Sequence, residues 1–180
     1  MNIFATSPDP VVCAQHHCDV HLRKMAVETA QLLSAAHIVI DDIQVAYKKT
    51  HHHHPCAIWV QASASNYRWA LAMLIAQLDE YEYRFDRVHK TRSYVDALSR
   101  IPSMPDIGLT KFAQAMPEEL RSSNPFKSYR RYLKQKLLSW REREKPVRTH
   151  FTRREVPHHL LAVSGRIFPC INQGVQYAPY

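Results

Sequence analysis

Glycine is nearly missing: three residues in 180. A P-loop or a GxGxxG turn needs glycines clustered where backbone approaches phosphate, so both are excluded and dedicated nucleoside-triphosphate chemistry is not expected. The four cysteines, Cys13, Cys18, Cys56 and Cys170, form no CxxC pair. No apolar run reaches the roughly 20 residues of a membrane-spanning helix. The opening "MNIFATSPDP" lacks the basic and apolar regions of a secretion signal. The chain therefore reads as cytoplasmic, with reduced thiols and no membrane association. Acidic residues are scarce in one place above all. Between Arg121 and Arg154 stand twelve Lys or Arg against only Glu142 and Glu144, an excess of ten positive charges.

That excess is larger than the +8 of the whole chain. A surface of one sign repels itself, and a polyanion relieves the repulsion, so nucleic acid is the partner that the charge favours. With 46% apolar residues the chain has enough material for one core.

Helix signals dominate. Asp9 and Pro10 read as N-cap and first position of a helix that runs without Pro or Gly from Val11 to about His37. A connection over 38–56 carries the run "THHHHPC". A second helix is predicted from Ser65 to about Phe85, capped by Ser63 or Ser65, and a shorter one over 90–99. After a proline-rich loop, Asn124 and Pro125 open another. Its apolar stripe is Phe126, Tyr129, Leu133, Leu137 and Trp140. The basic residues Lys127, Arg130, Arg131 and Lys134 lie off that stripe and are predicted to face phosphate. The expected architecture is a mostly α, compact single domain of about four helices over 1–146, followed by an irregular C-terminal tail, 147–180.

Several groupings have chemical potential. Cys13, His17 and His21 share a face if the first helix is continuous, and with Cys18, Cys56 and the histidine run they suggest zinc. The spacing matches no standard zinc motif, and we predict neither metal nor cofactor. Asp19, Lys24 and Glu28 approach one another across helix turns, either as an acid–base set or as exposed ion pairs. Arg68, Arg84 and His89 flank the aromatic second helix and are predicted to contact DNA.

The order of motifs is informative as a whole. "MNIF.TSPDP", "CAQHHCD.H..KM..ETAQLLS", "YK.TH..HPC.IW", "NYRW", "EYEYRFDRVHK" and "QAMPEE" together resemble a family of small phage-encoded proteins, over Met1 to about Pro146. Val20 departs from the pattern, which has lysine after Asp19. That family is in turn distantly similar to pyrimidine-dimer DNA glycosylases of the T-even-phage endonuclease V type. The shared plan is a short N-terminus leading into a helix, a basic loop ending in "HP", and a helix closing on "EY.YRF". The resemblance implies an endonuclease V-like fold, double-stranded damaged or modified DNA as substrate, and the bacterial host cytoplasm as location. It implies that an N-terminal α-amine attacks C1′ of a flipped nucleotide, supported by a glutamate of the first helix, with β-elimination through the imine.

An α-amine has an ordinary pKa of about 7.7–8.0 and is partly nucleophilic near neutrality. Asn2 is too large for ready methionine removal, so the amine would be that of Met1, whereas the endonuclease V enzymes expose a small residue. The supporting carboxylate is Asp19 or Glu28. Lys48, Lys49 and His54 are expected near phosphate or the flipped nucleotide, His54 as a proton carrier. Two other functions fit the same residues: a nucleic-acid-binding or host-interaction protein without catalysis, and a base- or nucleotide-modifying enzyme of phage DNA synthesis.

Overall fold

The computed structural model describes residues 1–161. Among these there is no strand, and the chain is mostly helical and compact. The helices are α1 (Pro10–Gln15), α2 (Asp19–Ile40), α3 (Pro55–Gln61), α4 (Ala64–Phe85), α5 (Val95–Leu98) and α6 (Pro125–Arg141). Short 3₁₀ turns lie at Lys90–Tyr94, Glu118–Leu120 and His158–Leu160. None of the described helices is long and apolar enough to cross a membrane.

The frame is the antiparallel pair α2 and α4, each about 33 Å long at 1.5 Å per residue. One end is tied by His37 Nε2 and Tyr67 Oη at 2.9 Å, the other by Arg84 and Asp19. The caps follow the sequence. Asp9 accepts from Val11 N–H, Ser63 from Ser65 N–H and Asn124 from Lys127 N–H, each relieving an orphan donor of a first turn. The α6 stripe buries Tyr129, Leu133, Leu137 and Trp140.

The continuous first helix expected over 11–37 is instead two helices, with the break at His16–Cys18. Neither Pro nor Gly marks it. Its cause is the Arg84 guanidinium, which reaches in from α4 and donates to the carbonyls of Gln15 (3.0 Å) and His17 (2.8 Å). These carbonyls would otherwise bond within a helix, so a buried tertiary contact overrides local propensity. The break also removes the common helical face expected for Cys13, His17 and His21.

Helix α3 is a further departure, lying within and just beyond the expected connection. The histidine run is a turn: His54 N–H donates to the His51 carbonyl, and the His54 ring caps α3 by accepting from Cys56 N–H. Pro55 occupies the first helical position. The segment 147–161 is irregular apart from one 3₁₀ turn, yet it belongs to the folded body. Phe151 and Leu160 are buried in the core, and the His150 carbonyl accepts from Asp19 N–H. The remaining tail residues, 162–180, with Cys170, lie outside the described residues.

Candidate active site at the N-terminus

Residues 2–7 are buried. "MNIFAT" is a thread through the core that fixes where the chain's first atom sits. Asn2 shapes it: its Oδ1 accepts from Ile3 N–H (2.8 Å) and Phe4 N–H (3.2 Å), and its Nδ2 donates to the Ala115 carbonyl (2.7 Å). Phe4 is left at φ +42°, a left-handed conformation that costs an L-residue roughly 1–2 kcal/mol. Packing holds it there. Its ring stacks on Tyr132 at 5.3 Å and meets His21 edge-on at 4.6 Å.

The turn delivers the α-amine of Met1 to Glu28 of α2. The nitrogen lies 3.6 Å from Oε2, the same oxygen that accepts from Asn2 N–H at 3.1 Å. Oε1 faces Lys24 Nζ at 3.3 Å. The side chains grade outward, with exposures of 3% for Met1, 13% for Glu28 and 66% for Lys24. His54 is half-buried beside them. Burial lowers its pKa first, then the positive α-amine and His51, with Glu28 opposing. Its Nδ1 already accepts from Cys56 N–H, which leaves the proton of the neutral ring on Nε2. Met1, Lys24, Glu28 and His54, all chosen from the sequence, therefore come together.

Asp19 does not join them. It sits nine residues before Glu28 on the same helix, about 13 Å along the axis. Its carboxylate accepts from Arg84 Nη1 (3.1 Å) and from the Thr152 amide and hydroxyl (3.1 and 2.7 Å). Arg84 also departs from its expected role. Its side chain is fully buried, with Nε on Glu80 Oε1 at 2.7 Å, so it offers no group to a DNA surface. Glu80 in turn holds Arg154 through both oxygens at 2.9 Å. This buried network joins α2, α4 and the 150–154 segment.

The remaining expected DNA contacts are spread out. Lys48 and Lys49 are exposed on the loop before α3 and form no ion pair among the described residues. Tyr47 anchors that loop, through Ser34 and Thr91. Arg68 is exposed and paired with Asp106. His89 caps the Lys90–Tyr94 turn and lies edge-on to Tyr81. On α6, Arg130 donates to the Thr6 carbonyl (2.7 Å), Arg131 to Leu120 (2.8 Å) and Lys134 to Leu161 (3.3 Å), while Lys127 is exposed in the first turn.

Cys13, Cys18 and Cys56 supply no assembled metal site. Among the described residues no group of three His, Cys, Asp or Glu is disposed to hold an ion. Burial pushes the Cys18 and Cys56 thiols up to about 11 and raises Cys13 as well. Such thiols stay protonated near neutrality and are poor nucleophiles.

Sequence reasoning passed over Lys136. Its ammonium lies 5.9 Å from the Phe4 ring centroid, 6.0 Å from Tyr132 and 5.3 Å from Trp140. The spacing Tyr132–Lys136–Trp140, four residues at each step, was the available signal. Comparisons with protein-family models, with curated proteins and with solved structures found no match to this chain.

Proposed function

We propose that the chain is a DNA glycosylase with abasic-site lyase chemistry, acting on a damaged or modified pyrimidine. The observation that carries this reading is the approach of the Met1 α-amine to the Glu28 carboxylate, at 3.6 Å. A primary amine beside a carboxylate is the pairing needed for attack on an acetal-like carbon, because the carboxylate takes the proton that the amine must lose.

In the proposed reaction the amine lone pair forms an N–C1′ bond. The glycosidic pair leaves with the pyrimidine, which takes a proton from solvent. Glu28 accepts the proton of the new ammonium and returns it to O4′ as the C1′–O4′ bond breaks, which gives the protonated imine and frees the carboxylate. Glu28 or His54 then removes a C2′ proton, and the 3′ phosphate leaves by β-elimination. Water hydrolyses the imine and restores the amine. Flipping the nucleotide costs a few kcal/mol, least at a damaged pair, which gives selectivity. Lys48, Lys49, His89, Lys127 and Arg131 are candidates for contacts to outer phosphates, Arg68 becomes one if its pair with Asp106 opens, and Arg130 and Lys134 are instead engaged by carbonyls of their own chain.

The test is incubation with a panel of modified duplexes and borohydride. Reduction of the imine should give a covalent protein–DNA adduct whose site maps by mass spectrometry to the amino-terminal peptide. Acetylating the terminus should abolish it. Base release with no adduct would move the nucleophile to water, and no base release from any lesion would leave a non-enzymatic binder.

A further inference from the structure

Helix α6 has two basic borders, and they differ. At 100° per residue, Arg130 and Lys134 lie on one side of the stripe Tyr129–Leu133–Leu137–Trp140, and Tyr132 and Lys136 on the other. Arg130 and Lys134 already donate to carbonyls of their own chain. Lys136 has neither hydrogen bond nor ion pair among the described residues, and rings alone hold its ammonium. Arg143, just past the helix end, lies 6.0 Å from the Trp140 ring centroid. The electrostatic neighbours of Lys136 are Lys24, Glu28 and Arg143.

We propose that Lys136, with Lys24 and Arg143, grips a phosphodiester of the DNA strand whose sugar is presented to Met1 and Glu28. The proposal rests on the glycosylase reading and deepens it. Glu28 has the α-amine and Lys24 as its ion-pair partners, and it is the one acidic group acting on Lys136, against the two cations Lys24 and Arg143, so positive charge prevails around the Lys136 ammonium. Burial and the charge of Lys24 and Arg143 lower the pKa of Lys136, with Glu28 opposing, which is the mark of an ammonium held without its counter-ion. A phosphate oxygen supplies both missing elements, a negative charge and an acceptor for a charge-assisted hydrogen bond. The aromatic faces fix the ammonium meanwhile through cation–π attraction. The other border has its acceptors within the protein. The strand entering the site is therefore assigned to the Lys136 border.

The test uses the full chain and a labelled duplex carrying a tetrahydrofuran abasic analogue, with affinity measured by anisotropy over a range of salt. Lys136→Gln should reduce the slope of log K against log salt by about one, and Lys136→Arg should keep it. Lys134→Gln should leave the slope unchanged. Arg143→Gln, outside the helix and exposed, should reproduce the reduction if Lys136→Gln does not fold. An unchanged slope in a folded Lys136 or Arg143 variant overturns the proposal while leaving the glycosylase reading standing. Reduced slopes together with no base release from any lesion by the wild type keep the grip and remove the glycosylase. Absence of DNA binding by the wild type at low salt overturns both.

Discussion

Two carboxylate–cation clusters share helix α2, one reaching across to α4 and the other to the N-terminal thread, and they differ in saturation. At Arg84 the guanidinium is fully buried, and its donors go to Glu80, Asp19 and the carbonyls of Gln15 and His17. Asp19 accepts from Thr152 as well, and Glu80 from Arg154. Every charge is matched and fixed. At Met1 the cations crowd one carboxylate, Lys24 is largely exposed, and Lys136 has no acceptor among the described residues. In the first arrangement each charged atom is committed to a buried bond. The second keeps an exposed cation at Lys24 and an ammonium at Lys136 that only rings engage. Residue types alone do not separate scaffold from chemistry here. The number of unfilled hydrogen-bonding positions does.

The sharpest way to break the comparison is to remove Arg84. Arg84→Met leaves Asp19 and Glu80 buried without their shared partner, and breaking a buried pair costs about 3–5 kcal/mol. For a chain of this size that lowers the melting temperature by about 6–20 °C. A loss under about 1 kcal/mol in thermal or urea unfolding would show that the network is dispensable and the contrast mistaken.

Glu28 and Asp19 should then behave oppositely. Glu28→Gln is expected to lower turnover by about 10²–10⁴-fold, the usual share of acid–base assistance, with little change in unfolding. Asp19→Asn should cost stability and leave the turnover of the folded fraction nearly intact, since that carboxylate is occupied by Arg84 and Thr152. Equal effects of the two substitutions on turnover would erase the distinction between the clusters.

Acid tests the matched side through His17, whose carbonyl Arg84 holds. Burial, with Arg84 and His16 adding positive charge, holds its ring at about 3 instead of 6.5. The unfolded chain takes up this proton near pH 6.5 and the folded chain only near pH 3, so the unfolded state binds more protons in between. Stability is therefore complete above about pH 6.5 and falls as pH drops through that window, by about 1.4 kcal/mol per pH unit for one fully buried histidine. His159, also held at about 3, and His16, at about 4, act in the same direction. Glu80, which burial raises but its arginines lower on balance, gives up its contribution only as pH falls below the ordinary carboxylate range. Urea unfolding at pH 7, 6 and 5 checks this, and a flat profile down to pH 5 would contradict neutral burial of His17.

Much of this arrangement was legible in the chain because its signals are local. Asp9–Pro10, Ser63 and Asn124–Pro125 cap helices by short-range chemistry, and the stripe of α6 is a matter of period. The grouping of Met1, Glu28 and His54 was reachable through the resemblance and the short path from the terminus to the first helix. What escaped depends on long-range contact. The break at His16–Cys18 is made by an arginine 67 residues later than His17. Arg84 read as a DNA contact because an arginine at a helix end is usually exposed. Lys136 was one basic residue among twelve until Phe4, from the far end of the chain, closed the ring set around it.

The smallest expected effect tests the exposed side of the comparison. Lys24 and Glu28 form an i,i+4 pair at 3.3 Å, the geometry that also links Arg84 and Glu80. Identical spacing should nevertheless give unequal energies. Lys24 keeps most of its hydration and loses rotamer freedom when it pairs, so Lys24→Ala should change stability by only about 0.3–0.5 kcal/mol. Glu28 loses one partner but keeps the Met1 amine and Asn2 N–H, so it is not stranded. The measured difference between Lys24→Ala and Arg84→Met then reports what burial, together with the further bonds of Arg84 to Asp19 and to the Gln15 and His17 carbonyls, adds to one and the same helical spacing. A Lys24→Ala cost above about 2 kcal/mol would mean that the Met1 cluster is as firmly matched as the Arg84 network, and with no unfilled position it would have nothing to offer a substrate.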